Sequence, residues 1–244
     1  MKRKFQYIIL GLTLIKCTES TDRLSGENLY AFTDNRDFFP KEIQEKKHFN
    51  ADWYSDLLKQ LGEKSLADRY YGHEIIRLTA IRSFKNHFSI LLVNKENEVQ
   101  LTIKETYRDT RPVDNGDTTK ITFDIIEFDS VTGKYFDVRK FMSIGNNPID
   151  GEIERKPIDP LLKNETTKLK TSDWNDLTKL LKTTSFWTMQ PTDSIQGFDG
   201  SHYILETHSK DGYYVVDRWS PKSGDFKTII DYIIGLSTYE EQRN

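Results

Sequence analysis

The chain has 244 residues, 36% hydrophobic and 12% aromatic, which is enough apolar material for one large domain or two small ones. Phe, Tyr and Trp together number 30, which excludes a disordered chain. The net charge is −3 and no basic block occurs beyond residues 2–4, which argues against nucleic acid as the main partner and against electrostatic adhesion to anionic lipid.

Met1-Lys2-Arg3-Lys4 is basic and Phe5 to Ile15 is almost wholly apolar, the two leading parts of a secretory signal. As a helix this run reaches roughly 16 Å, whereas a membrane span needs about twenty apolar residues. Cys17, the only cysteine, lies three positions after Leu14. Together they resemble the lipid-modified cysteine motif of bacterial lipoproteins. The resemblance implies cleavage before Cys17, a diacylglyceryl group on its thiol, and a cell-envelope protein whose membrane partner is reached through that lipid. Lys16 departs from the small residue the family carries there. Two other readings therefore stay open: an uncleaved leader, or an ordinary signal cut further along to release a secreted soluble protein. Removing residues 1–16 takes four positive charges away and the balance to −7. With no second cysteine the fold must hold by its core alone.

Residues 1–16 are thus read as a signal peptide, 17–48 as a lipidated tether that becomes ordered towards its end, and 49–244 as a single α+β domain. Asn50 or Asp52 can cap a first helix, in which Trp53, Leu57, Leu58 and Leu61 recur at helical spacing. Gly62 ends it, and a second helical piece is expected from Leu66 to Tyr70. Three strand-like runs follow: Glu74 to Phe84, Phe88 to Asn94 and Val99 to Thr106, an antiparallel meander with Asn-rich turns. A charged loop, Arg108 to Thr119, leads to strands near Lys120 to Phe128 and Tyr135 to Met142. Residues 143–170, with Pro148, Pro157 and Pro160, read as a long connection.

In the last third, Ser172 or Asp173 can cap a helix bearing Trp174, Leu177, Leu180 and Leu181. Ser201 to His208 and Tyr213 to Trp219 are strands, with Asp211-Gly212 in a hairpin turn. Asp225 caps a closing helix whose Phe226, Ile229, Ile230, Ile233 and Ile234 share one face. The expected architecture is α+β, an antiparallel sheet of about five to seven strands covered by about three helices.

The run Asp199-Gly200-Ser201-His202-Tyr203-Ile204-Leu205-Glu206, followed by Tyr214-Val215-Val216-Asp217-Arg218-Trp219-Ser220-Pro221, resembles the end of uncharacterised bacterial proteins with a D-G…L-E…Y-x-V-x-R-W-S-P pattern. The resemblance spans about 70 residues, from Trp174 on. It implies an envelope or secreted protein and brings no catalytic residues with it.

Glu206 and Arg218 form the candidate charged pair. A hairpin loop of three or five residues places them on one face, and a loop of two or four places them on opposite faces. Tyr203, Tyr213, Tyr214 and Trp219 around them are either an aromatic binding surface or core. His202 and His208 lie about 20 Å apart along a strand, too far to share one ion, so no metal is expected, and no cofactor either. No nucleophile elbow, zinc-protease pair or phosphate-binding glycine loop occurs. The expected function is non-enzymatic: an envelope lipoprotein that binds a protein or other ligand outside the cytoplasm, in the manner of an immunity or inhibitor protein. The alternative is a hydrolase with an unrecognised site.

Overall fold

The computed structural model describes residues 38–108, 110–113, 116, 119–144, 150–195, 197, 199–237 and 239. The leader, Cys17 and the tether as far as residue 37 lie outside them. Among the described residues no helix is long and apolar enough to cross a membrane.

The architecture is α+β with two antiparallel sheets. The first is built from β1 (Glu74–Arg82), β2 (His87–Lys95), β3 (Glu98–Thr106), β8 (Leu161–Leu169), β9 (Ser201–Ser209) and β10 (Gly212–Trp219), in the order β10-β9-β1-β2-β3-β8. The second contains β4 (Thr110–Val113), β5 (Lys120–Asp129), β6 (Lys134–Ser143) and β7 (Asp150–Ile158), in chain order. The strands expected in one sheet are thus divided between two: β1, β2, β3, β9 and β10 lie in the six-stranded sheet, and β5 and β6 in the four-stranded one.

Alternation along β1 divides two cores. Ile76, Leu78 and Ala80 face one way with Leu205 and Val216, and onto them pack α3 (Thr171–Thr183) and α4 (Asp225–Leu236). Ile81, Ile204 and Val215 face the other way, under α2 (Ala51–Gln60). Because both faces are covered, β1 is buried along nearly its whole length.

Local chemistry explains the helix ends. The Asn50 side chain accepts from the Trp53 amide and opens α2, and Gly62 takes the left-handed conformation (φ 62°) that stops it. The Asp173 carboxylate accepts from the Lys170 amide, so α3 begins at Thr171 with Lys170 as its N-cap, ahead of the expected Ser172 or Asp173 cap. Asp225 is already helical, and its carboxylate instead accepts from Ser185 N, tying α4 to the chain after α3. Phe226, Ile229, Ile230 and Ile233 are buried as expected, each contributing about 1.5–3 kcal/mol.

Four sequence expectations are corrected. Residues 143–170 are no long connection, because they contain β7 and β8, the outer strands of the two sheets. Both are largely exposed, so neither carries the apolar alternation that marks a half-buried strand. The segment read as tether to residue 48 is folded from Phe38 on: Phe38 and Phe39 are buried and α1 (Lys41–Gln44) follows them. Phe39 and Phe49 stack edge-on at 4.9 Å, with Tyr54 of α2 5.0 Å from Phe49. Leu66 to Tyr70 form no helix: Leu66 is buried, but the segment runs irregularly across the sheet. The charged loop from Arg108 includes the short strand β4.

Candidate functional site

The β9–β10 hairpin decides where the candidate residues go. Ser209 pairs with Gly212, leaving a two-residue loop of Lys210 and Asp211. Glu206 lies opposite Val215, and Arg218 opposite Tyr203. They therefore face opposite ways and form no ion pair.

Glu206 points towards the α2 side and is fully buried. Its carboxylate receives both Nε and a terminal nitrogen of Arg77, at 2.7 and 2.8 Å, and the Tyr213 hydroxyl at 2.9 Å. Arg77 also donates to the Lys64 carbonyl and lies 3.7 Å from Glu63, itself 3.2 Å from Lys104 and bonded by Ser89. Burial alone would lower the Arg77 pKa, but Glu206 and Glu63 outweigh it and hold the guanidinium charged. Burial, then the neighbouring Glu206, push the Tyr213 phenol well up. Two acids and two bases thus close on themselves under residues 61–66. This cluster is a structural plug.

Arg218 and Trp219 hold the segment before β9. The Arg218 guanidinium donates to the Gln190 carbonyl at 2.8 Å, and Asp217 N donates to Pro191 O at 2.7 Å. A Cβ on Gly197 would stand 2.1 Å from the Trp219 ring, so only glycine lets the chain pass there. Ser220 Oγ accepts from Ser201 N at 3.0 Å. The R-W-S part of the pattern therefore binds its own chain. Tyr203 packs against the α3–α4 core. Of the five candidate residues only Tyr214 reaches an open site, so they do not form one surface.

A second polar cluster joins α2 to the hairpin. The Tyr54 hydroxyl donates to Asp217 at 2.7 Å, and His202 Nδ1 lies 3.0 Å from that hydroxyl and 3.2 Å from the carboxylate. Burial and Asp217 push the Tyr54 phenol far up, so it stays a neutral donor. Nδ1 is engaged from both sides, and the cluster orients α2 on the sheet.

The open site is a cleft of about 640 Å³ between α3 and the sheet end that carries the hairpin, within the roughly 300–1,000 Å³ range of small-molecule sites. Helical spacing gives one wall: Thr171, Trp174, Asn175, Thr178, Leu181 and Lys182 fall on one stripe. From Thr171 to Lys182 that wall runs roughly 16 Å. The other wall crosses four strands, with Asn94 of β2, Glu74 of β1, Thr207 of β9 and Tyr214 of β10. Trp187, in a 3-10 turn after α3, closes one end with its ring 46% exposed. It stands 5.7 Å from the Tyr214 ring, whose hydroxyl donates to Met189 O.

Asn94 Oδ1 and Thr207 Oγ1 are buried in this wall with no hydrogen-bond partner in the protein. A buried polar atom left so costs about 1–3 kcal/mol, and a ligand that reaches these side chains can recover part of it. The His208 imidazole also has an unpartnered nitrogen, but its ring turns to the opposite face against Tyr70 and Tyr213. Among the described residues no cluster of His, Cys, Asp and Glu is arranged to hold a metal. Sequence reasoning singled out Tyr214 and Trp174 but not the cleft, whose walls meet only in the fold. No family model, curated protein or solved structure matches the chain.

Proposed function

We propose that the chain is a non-enzymatic binding protein of the cell envelope, held by lipid on Cys17, that takes its ligand in the cleft beside α3. The observation that carries the binding reading is the cleft itself, with its exposed Trp187 and the unpartnered polar atoms of Asn94 and Thr207 in its wall. Its inner polar groups are amides and hydroxyls, which hold a ligand but exchange no proton near neutral pH. The carboxylates of Glu74 and Asp211 sit on exposed residues at the rim. Such a lining suits retention better than hydrolysis. The basic start, the apolar run and Leu14 before Cys17 support the address.

Two experiments test the two halves. A fragment screen followed through the indole N–H resonances of Trp174 and Trp187 should give hits that shift both signals. A library that leaves them unmoved in folded protein contradicts the site. Metabolic labelling with a clickable palmitate analogue should mark the wild type and not Cys17→Ser. Unlabelled protein in the soluble fraction contradicts the anchor.

A further inference from the structure

Resting on the binding reading above, the lining chemistry narrows the ligand. The cleft lining mixes hydrogen-bond acceptors and donors and carries two carboxylates. Thr171 Oγ1 donates to the Asn97 carbonyl and Thr178 Oγ1 to the Asn175 carbonyl, so both hydroxyls spend their hydrogens inside the protein and offer only lone pairs outward. Ser209 Oγ accepts from Asp211 N and so keeps its own hydrogen to donate, and the side-chain amides of Asn94, Asn97 and Asn175 carry N–H groups besides their oxygens. The carboxylates of Glu74 and Asp211 are acceptors, and the Asn94 amide oxygen has no partner. Against these stands one cation, Lys182.

A lining of this kind favours a ligand that can both donate and accept at many points and carries no negative charge. Phosphates and carboxylates supply acceptors and would meet two carboxylates. A polyol donates from every hydroxyl. The Trp187 indole, exposed and braced edge-on by Phe186 with a ring separation of 5.1 Å, presents a flat apolar face. The C–H face of a pyranose matches it, with hydroxyls left to project sideways into the polar walls. The roughly 16 Å wall of α3 gives room for more than one sugar ring.

We propose that the cleft binds a neutral oligosaccharide of about trisaccharide length, laid along α3 with one ring stacked on Trp187 and its hydroxyls donating to Glu74, Asp211 and Asn94. The test is calorimetric titration of the folded chain with maltotriose, cellotriose, xylotriose and chitotriose, beside trialanine and adenosine. At least one trisaccharide should bind with a dissociation constant below about 1 mM. Trp187→Ala should weaken it by about tenfold, and Glu74→Gln by a smaller factor, both variants melting like wild type. If trialanine or adenosine binds in a Trp187-dependent way and no trisaccharide does, the cleft remains a binding site and the sugar assignment falls. If none of the six binds, the sugar assignment falls again, and the fragment screen on Trp174 and Trp187 decides whether the cleft reading falls with it. A trisaccharide that binds Trp187→Ala as well as wild type also overturns the proposal.

Discussion

The two sheets of this molecule contain the same residue types and are held by different forces. In the six-stranded sheet both faces of the central strands are covered, and Leu78, Ile90, Leu92, Leu205 and Val216 have lost all contact with solvent. In the four-stranded sheet only Thr122 and Val138 are buried among the described residues, while Ile121, Phe128, Met142 and Ile153 stand exposed. Besides the backbone ladders, ion pairs link side chains across its strands: Arg111 with Asp137, Arg139 with Asp124 at 2.8 Å, and Glu127 with both Lys140 and Arg155. Apolar burial supplies about 25 cal/mol per Å², whereas exposed ion pairs add little each. The difference locates rigidity: the cleft is carried by the sheet that cannot shift without breaking a core. A site needs such support to keep its walls in place.

The contrast predicts a graded response to mutation. Ile230→Asp puts an unpaired charge in the α3–α4 core and should leave no cooperative melt by circular dichroism; a normal melt would contradict the packing. Glu206→Ala strands Arg77 in the other core and should cost about 3–5 kcal/mol in urea unfolding. Pairing it with Arg77→Met should recover part of that loss, since the stranded charge goes too. In the four-stranded sheet Glu127→Gln should lower the melting temperature by less than about 3 °C.

Acid sharpens the same comparison. The hydrogen bond from Arg139 holds the Asp124 carboxyl below its ordinary range, and that from Lys140 does the same for Glu127. Each is depressed in the folded chain, so each stabilises it above the ordinary carboxylate range and stops doing so as pH falls through the folded value. Amide protection in β5 and β6 should therefore fade as pH drops below about 4, while β1 and β9 keep theirs. Simultaneous loss in both sheets would show that the ion pairs do not set the stability of the smaller one.

Much of the fold was legible because burial writes a pattern. β1, β2, β3, β9 and β10 alternate or run apolar, and α2 and α4 repeat at helical spacing, each because a covered face demands it. β7 and β8 were missed for the converse reason. Glu152, Glu154, Lys156, Lys163, Glu165 and Lys168 line strands that bury almost nothing, and charged outer strands read like loops. β4 is four residues long and contains Pro112, which fits only an edge. At the site, Glu206 drew attention as one half of a candidate charged pair with Arg218. Its partner, Arg77, lies 129 positions away and could not be read from the hairpin alone. The R-W-S pattern proved to hold its own chain, and the cleft draws its walls from one helix and four strands, so no local motif announces it.

Native-state hydrogen exchange followed by mass spectrometry tests the contrast most directly. The account predicts that amides of β1, β2 and β9 exchange only through global unfolding, and those of β4 to β7 through local opening at lower free energy. Equal protection in the two sheets, with one common response to denaturant, would contradict it.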